Sequence, residues 1–513
     1  MNVELNREVT AGRPSRRTIR RPTGTGRPAS AGRRVTRRVR DDALSDGSVD
    51  ELLEVDADVI DIVETLKDRQ AEETDQADID VRFASVYFPK IDGRSTPLIR
   101  TLALDIMKIA PLAIGIDDRT WSYSGGVWKP DKNVIRKRAT RLLQERYKPD
   151  LANAAGDIIR AELEDNGRKI DGSPVGKIIN FKNGFLDWKT GELRPHDPDL
   201  LSTVQLNTEW NPDATCPEFD KFLASILPED MIDIAWELIG YLMYSGNPLH
   251  KAVMFTGTGR NGKGTLMRVI QNLLGRENTT ARSLHALANE RFATADLFNK
   301  LANLAGDVDG TYMAETARFK GITGQDTMTA EYKGTNSFEF TPWAVPVFSA
   351  NKVPGSADTT PGFMLRWVVI NFPNSFAGSE DRGLDDRLGT PNEIEGIAAK
   401  AVPALRRVMK RGNFAESDSS RAAKAHFNRQ IDQVRTWLHE CAEIGEGFPP
   451  INRTALYNQY KEWVKENGVG QLKSTEFYDR MVSIDGITAK KIGGTRYLAG
   501  FKLLPRDDND HGW

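Results

Sequence analysis

The stretch FTGTGRNGKGT, residues 255–265, constrains the fold of this chain more than any other. Gly257, Gly262 and Lys263 fit the pattern G-x-x-x-x-G-K, in which backbone N–H groups converge on phosphate oxygens and the lysine reaches the terminal phosphates. A short apolar run, Val253–Phe255, precedes the loop, and the amphipathic segment TLMRVIQNLLG follows it. We therefore predict a strand, a phosphate-binding glycine loop and a helix. The alternative is a tight strand-to-helix turn without a ligand.

The loop and the first turn of the helix are candidate nucleotide contacts, because a helix N-terminus adds partial positive charge near phosphate. Gly264 stands where this pattern normally has a Ser or Thr whose hydroxyl holds Mg²⁺. Thr265 offers the next hydroxyl, but one residue onward on a helix points about 100° away. The candidate nucleotide-binding residues are Gly257, Thr258, Gly259, Arg260, Asn261, Gly262, Lys263, Gly264 and Thr265.

Candidate catalytic residues follow three further apolar, strand-like runs. Asp307 and Asp309 end the run LANLAGDVD, where parallel strands open toward a bound ligand. We assign Asp307 to magnesium, mostly through its waters, and Asp309 to orienting water or supporting the site. Asn351 follows VPVFSA and can bridge the attacking water and the γ-phosphate. Arg366 precedes WVVINF and can neutralise charge on a neighbouring subunit's nucleotide. Taken singly, Asn351 is equally a turn residue and Arg366 an ordinary surface arginine, and plain turn acids are the alternative for the two aspartates.

These runs alternate with helical segments, which predicts an α/β fold with a mainly parallel sheet and helices on both faces. Upstream, Arg119–Lys132 predicts a β-hairpin around Gly125 and Gly126. The segment PEFDKFLASILPEDMIDIAWELIGYLMYSG predicts a pair of helices.

Charge is distributed unevenly along the 513 residues, although the formal net charge is only −2. Arginine dominates residues 1–40, and acids dominate residues 41–80. We interpret residues 1–85 as a disordered charged tail that is either a nucleic-acid-binding arm or a solvated solubility segment. Cys216 and Cys441 form no disulfide framework or zinc pattern, and no apolar run is long enough to span a bilayer. A cytoplasmic protein without membrane contact is expected.

Several segments in order resemble the superfamily 3 helicase domain of phage and plasmid primase-helicases and poxvirus-type NTPases. They are GTGRNGKGT, NLAGDVD, FKGITGQDTMTAEYKGTNSFEFTPWAVPVFSANKVP and TTPGFMLRWVVINFP. Upstream, WSYSGGVWKP, INFKNGFLDWKTGELRPHDPD and CPEFDKFLASIL resemble the domain that precedes this motor. Downstream, LYNQYKEWVKENGVGQLKSTEFYDRM and GGTRYLAGFKL resemble its winged-helix module.

The resemblance implies an AAA+-like P-loop NTPase core, with ATP and Mg²⁺ as cofactors and assembly into a ring that is usually a homo-hexamer. It maps Lys263 to the phosphate-binding lysine, Asp307 to the magnesium acid, Asn351 to the sensor and Arg366 to the arginine finger. We expect a helicase-associated α+β domain at 86–215, the ATPase at 216–415 and a winged helix at 430–505. The short charged segment before residue 86 leaves no room for a primase domain, so we expect any primase to be a separate partner.

The resemblance also implies single-strand contacts from EYKGTNSFEF, with Lys333 as the best candidate. Phe338 and Phe340 are favoured as hairpin core. In the C-terminal module, STEFYDRM is the expected recognition helix, and Lys490 and Arg496 lie in the expected wing together with Lys491. A structural or protein-docking role for this module is the alternative.

We therefore expect an ATP-dependent helicase that translocates on single-stranded DNA and unwinds forked duplex during phage or mobile-element replication. The first alternative is an AAA+ initiator that melts an origin without processive unwinding. The second is a DNA-binding scaffold with a degenerate site, which only Gly264 supports.

Overall fold

The computed structural model describes residues 84–165, 169–306, 308, 313, 315–467 and 470–505. The charged tail predicted for residues 1–85 therefore falls almost wholly outside the described residues. Asp307 and Asp309 also lie outside the described residues.

An α+β region precedes the glycine loop, as the sequence predicts. The predicted hairpin around Gly125 and Gly126 is β4–β5, in a four-stranded sheet of order β5-β4-β3-β6. A second sheet has the order β7-β8-β9. The helices of this region share an apolar core that includes Leu102, Leu142 and Ile159. The strands are β1 (Lys90–Ile91), β2 (Arg94–Ser95), β3 (Leu112–Gly115), β4 (Thr120–Ser124), β5 (Val127–Pro130), β6 (Lys169–Ile170), β7 (Ile178–Phe181), β8 (Gly184–Asp187) and β9 (Leu193–Arg194), and the helices are α1 (Ile99–Ile109), α2 (Val134–Leu143) and α3 (Pro149–Asp165).

The central sheet has five strands in the order β11-β12-β15-β10-β16, and each described pairing in it is parallel. The apolar runs predicted as strands form β10, β12, β15 and β16. A separate antiparallel pair, β13–β14, contains the candidate DNA hairpin. The strands are β10 (Ala252–Thr256), β11 (Thr279–Thr280), β12 (Ala302–Ala305), β13 (Met328–Ala330), β14 (Phe338–Phe340), β15 (Val345–Ala350) and β16 (Trp367–Asn371).

Helices cover both faces of this sheet because successive strand residues point to opposite sides. In β10, Val253 and Phe255 join one apolar cluster with the helices at residues 232–243, 263–274 and 391–411 (α5, α6 and α11). Ala252 and Met254 join another cluster with the helices at residues 284–289, 317–324 and 418–431 (α7, α8 and α12). The mixed α/β architecture predicted from the sequence is confirmed. The helices are α4 (Pro217–Ile226), α5 (Ile232–Met243), α6 (Lys263–Leu274), α7 (Leu284–Asn289), α8 (Ala317–Gly324), α9 (Pro361–Met364), α10 (Leu384–Leu388), α11 (Pro391–Arg411) and α12 (Asp418–Ile431).

The C-terminal module, residues 433–505, has its own core around Trp437, Tyr460 and Phe477. Its strands and helices follow the order of the predicted module, and the winged-helix assignment stays a prediction. None of the helices in the described part of the chain combines the length and apolar character needed to cross a lipid bilayer. The elements are α13 (Gln433–Cys441), β17 (Ala442–Ile444), β18 (Ile451–Asn452), α14 (Arg453–Asn467), α15 (Ser474–Val482), β19 (Thr488–Ile492), β20 (Thr495–Ala499) and β21 (Phe501–Leu503).

Candidate nucleotide site

The glycine loop connects the end of β10 to the start of α6, so its position in the sheet is that predicted from the sequence. Gly257 and Gly262 have φ angles of 147° and 87°. A Cβ atom on Gly262 would lie 2.5 Å from Ile226 Cγ2, and one on Gly257 would lie 2.6 Å from Phe372 O. Both positions therefore require glycine, for backbone conformation and for space.

Lys263 is the first residue of α6 and only 5% exposed. Its Nζ donates hydrogen bonds to Gly257 O at 2.8 Å, to Asn261 Oδ1 at 3.0 Å and to Asn351 Oδ1 at 3.1 Å. These contacts fold the ammonium group back against the loop, beside a helix N-terminus. A lysine held in this way is suited to exchange neutral oxygens for those of a phosphate chain.

Asn351 comes immediately after β15, which pairs with β10 and so ends at the same edge of the sheet. The structure brings this amide to Lys263, 88 positions away in the sequence. Val308, which lies between the two predicted acids, donates to Ser349 O at 2.8 Å near the same edge. Asp307 and Asp309 lie outside the described residues, so their roles stay predictions.

The side chain of Arg268 holds the hydroxyl group next to the loop. Its Nη2 donates to Thr265 Oγ1 at 2.9 Å and pairs with Asp385 at 2.8 Å. A guanidinium bound to this oxygen disfavours a metal ion there, and the role of Thr265 as a magnesium ligand stays a prediction. Within the described residues, no group of three or more His, Cys, Asp or Glu side chains could hold a metal ion.

Residues that follow β16 form hydrogen bonds and an ion pair with the outer side of the glycine loop. Asn261 is buried and donates to Phe372 O at 3.2 Å, and Phe376 N donates to Arg260 O at 2.8 Å. Arg260 also pairs with Glu380 at 3.0 Å. Hydrogen bonds from backbone N–H groups, together with Arg260, hold the pKa of Glu380 below its usual value. The loop conformation is therefore supported from two sides before any ligand binds.

A cleft of about 480 Å³ opens directly beside the loop. Gly262, Thr265 and Arg260 form its loop side, and Phe222, Phe376 and Leu384 supply apolar walls from three other segments. The sequence did not identify these three apolar residues as part of a binding cleft. Each apolar residue belongs to an ordinary amphipathic or loop segment, so no local signal could have identified them.

Arg366 lies at the opposite edge of the sheet from the loop. Its carbonyl accepts from Ala252 N at the start of β10, and Nη1 donates to Thr323 Oγ1 at 2.9 Å. The Nε atom is buried without a hydrogen-bond partner among the described residues. The structure therefore does not bring Arg366 to Lys263 of the same chain. Arg366 could therefore act as an arginine finger only on a nucleotide bound by another subunit.

Lys333 is exposed in the loop that joins β13 to β14. Phe338 and Phe340 are 6% and 3% exposed and pack on Phe298, so the expectation that they form core is confirmed. Tyr332 turns inward under the guanidinium of Arg119, which donates to its hydroxyl at 3.2 Å. Burial raises the pKa of Tyr332 to about 12. The exposed Lys333 therefore follows a residue, Tyr332, that Arg119 holds in place.

Lys490 and Arg496 are exposed on the β19–β20 hairpin. Lys491 pairs directly with Arg496 across the hairpin, which places two cations on one face. Like charges opposite each other destabilise a strand pair, so a nearby polyanion would relieve this cost. The expected recognition helix, α15, buries Phe477 and Arg480 and therefore leaves only part of its surface for a partner.

Two parts of the chain match known protein families. Residues 110–228 match the family described as "D5 N terminal like", and residues 255–366 match a family of unknown function, DUF5906. "Putative helicase L207/L206" of Acanthamoeba polyphaga mimivirus is 25% identical over 325 residues, 57% of this chain and 33% of that protein. "Putative helicase 121R" of Invertebrate iridescent virus 3 is 26% identical over 235 residues, 42% and 24% respectively. The chain thus spans a third or less of these relatives.

Solved structures of the NrS-1 C-terminal region are also similar to this chain. The A-form apo structure is 13% identical with a TM-score of 0.43, over 78% of this chain and 97% of the other. The apo structure of residues 305–718 is 11% identical with a TM-score of 0.44, over 79% and 98%. Both TM-scores lie below 0.5, so neither structure supports an inference about this chain.

Proposed function

This chain belongs to the phage and viral proteins of the primase-helicase type, and we propose that it is an ATP-driven motor that translocates on single-stranded DNA and unwinds duplex. One observation carries the proposal: the buried Lys263 meets the exposed Asn351 at the carboxyl edge of a parallel sheet, beside a loop that requires glycine. Viral relatives named as helicases support the same class of activity.

ATP fits the loop and the adjoining cleft together. The triphosphate would lie on the backbone N–H groups between Gly257 and Lys263, and Lys263 would contact its terminal phosphates. The base would enter the cleft between Phe222 and Phe376, whose apolar walls favour a flat heterocycle. The loop and the cleft share Gly262 and Arg260, so one molecule can occupy both.

Hydrolysis would depend on groups at the same edge of the sheet. Mg²⁺, when bound, neutralises charge on the phosphate oxygens, with Asp307 as its proposed acid. Asn351 is placed beside Lys263 and would orient the attacking water by its amide. Gly264 provides no hydroxyl, so the metal would depend more on water, nucleotide oxygens and Asp307.

DNA would be contacted away from the nucleotide. The Lys333 loop would track the phosphates of a single strand inside a homo-hexameric ring, without reading base sequence. Lys490 and Arg496 would add phosphate contacts from the C-terminal module, which we propose to be a winged helix. Arg366 would complete the site of a neighbouring subunit, and a separate primase would supply primers.

The test is ATP hydrolysis by the purified chain with and without single-stranded DNA. We expect DNA-stimulated turnover that falls at least about 100-fold in Lys263→Ala, because the phosphates lose their charge-assisted contact. A Lys108→Ala variant is the matched control, since this exposed lysine lies outside the cleft and pairs with Asp105 of its own helix. Absence of turnover in the wild type, or full turnover in Lys263→Ala, would contradict the proposal.

Strand displacement separates unwinding from local origin melting. A processive helicase displaces a long annealed strand from a fork in an ATP-dependent manner, whereas an initiator opens only a short segment. We expect displacement to fall in Lys333→Ala while DNA-independent ATP hydrolysis is retained. Displacement that ends after a short opening would favour the initiator.

A further inference from the structure

Arg480 links the C-terminal module to the nucleotide-binding core. It lies on α15 and is 8% exposed. Its guanidinium donates to the carbonyl oxygens of Ser356, at 3.4 Å, and Ala357. It also bonds to Glu476 at 2.6 Å and to the buried Asp432 at 3.4 Å. A desolvated arginine is costly unless its donors are satisfied, so this contact is specific rather than incidental.

The carbonyls held by Arg480 belong to the loop that begins at Asn351. Within this loop, Val353 is 6% exposed and Ser356 is fully buried, so the part that follows the exposed Asn351 and Lys352 is anchored in the fold. Ser356 N donates to Ile431 O at 3.0 Å, which ties the same loop to the end of α12. The other end of the loop presents Asn351 to Lys263. A displacement of α15 would therefore be passed to the amide beside the phosphate-binding lysine.

We propose that Arg480 is a positioning residue that sets Asn351 for hydrolysis and so couples the C-terminal module to the ATPase. This inference rests on the proposed function. DNA bound to the exposed cations of β19–β20 would shift the equilibrium position of the module, and Arg480 would transmit the shift to residues 351–357. A structural linker with no influence on turnover is the competing interpretation, and it predicts a different kinetic pattern.

The first experiment is a double-mutant cycle on DNA-stimulated ATP hydrolysis. We expect Arg480→Ala to lower kcat about tenfold with an unchanged KM for ATP. If Arg480 acts through Asn351, the double variant with Asn351→Ala is no slower than Asn351→Ala alone. Arg480→Lys should recover part of the loss, because it keeps the charge but not the fork that reaches both carbonyls.

Arg435→Ala is the matched control. Arg435 pairs with the same Asp432 at 3.5 Å, but it is 47% exposed and makes no described contact with residues 356–357. It should leave kcat, KM and DNA stimulation unchanged. Multiplicative losses in the cycle, or an equal effect of Arg435→Ala, would overturn the inference.

Hydrogen exchange tests the positioning independently of turnover. In the intact wild-type chain, the amides of Ser356 and Ala357, which donate to backbone carbonyls, should be protected, and Arg480→Ala should raise their exchange whereas Arg435→Ala should not. Unchanged exchange in Arg480→Ala would overturn the inference even in an active enzyme. A wild type without ATP hydrolysis but with the expected exchange pattern would instead contradict the proposed function and leave the structural link in place.

Discussion

Gly262 is one of the two loop positions that require glycine for both conformation and space. Its φ of 87° is unfavourable for other residues, and a Cβ atom would lie 2.5 Å from Ile226 Cγ2. We predict that Gly262→Ala folds but loses ATP binding by at least about tenfold, because the loop must shift away from the phosphates. Equilibrium binding of a fluorescent ATP analogue measures this effect.

Gly264→Ala is the control for that experiment. A Cβ atom at Gly264 would meet only Arg268 Nη1, at 3.3 Å, and that flexible tip can move. Binding by Gly264→Ala should stay within about twofold of the wild type, as for a surface substitution. Equal losses in the two variants would show that the loop is sensitive to any bulk and not to the conformation of Gly262.

The lowered pKa of Asp358 makes the free energy of unfolding depend on pH. Burial alone would raise its pKa, but hydrogen bonds from Lys320, Thr360 and Thr316 lower it to about 2. A carboxyl group with a lowered folded-state pKa stabilises the fold above its unfolded value near 4, and this contribution is lost as pH falls toward 2. We predict that Asp358→Asn is less stable by about 1 kcal/mol at pH 7, with the difference shrinking below pH 4.

Urea unfolding of both chains between pH 7 and pH 3 measures this difference, and comparing two chains cancels the many other titrating acids. Asp381→Asn is a control, because Asp381 is exposed and its lowered pKa comes chiefly from the exposed Arg387. A stability gap for Asp358→Asn that widens at low pH would contradict the assignment.

At this scale the sequence predicts the residues whose chemistry is local. Lys263 follows from the glycine pattern, and Asn351 follows from its position after a strand, although its contact with Lys263 needs the sheet order. Phe222 and Phe376 could not be predicted, because a cleft wall depends on which distant segments meet. Arg480 could not be predicted either, since an arginine on an amphipathic helix usually faces solvent.

At the scale of elements, α5 and α11 are joined by an ion pair whose carboxylate is buried and whose arginine is 41% exposed. Glu237 is 1% exposed and accepts two hydrogen bonds from Arg411, at 2.8 and 2.9 Å, and another from Ala415 N. Arg411→Met should lower the free energy of unfolding by about 3 kcal/mol, because it leaves a buried carboxylate without its main partner. Thermal or urea unfolding measures the loss.

Arg407 supplies the comparison, since it lies on the same helix and approaches Glu237 only to 4.0 Å. Arg407→Met should cost about 0.5 kcal/mol or less, because its contacts with Glu237 and with the exposed Asp233 are long. A loss of similar size in both variants would mean that the effect arises from helix charge and not from the two hydrogen bonds between Arg411 and Glu237.

The prediction of elements succeeded where apolar residues form continuous runs. Strands buried on both faces, such as β10 and β15, need such runs, and helices on two sides then follow from the alternation of side chains. Short pairs such as β1–β2 have two exposed residues in each strand and no periodic signal. Their formation depends on contacts made after the chain folds.

At the scale of the whole molecule, the sheet separates Arg366 from Lys263. Both β10 and β16 run from the edge near Arg366 to the edge near the loop, and five residues of strand span roughly 16 Å. Arg366 can therefore serve a nucleotide only in another copy of the chain. We predict that mixing Lys263→Ala with Arg366→Ala chains restores ATP hydrolysis that neither variant has alone.

The restoration follows from how the two defects combine in an assembly. Where an Arg366→Ala subunit supplies the loop and a Lys263→Ala subunit supplies the arginine, the shared site contains both intact groups. If the arginine acted within its own chain, every subunit of the mixture would carry a defective site and turnover would stay at the level of the separate variants. Mixing each variant with itself at the same total concentration controls for assembly, and a titration of the ratio should give maximal turnover near equal amounts.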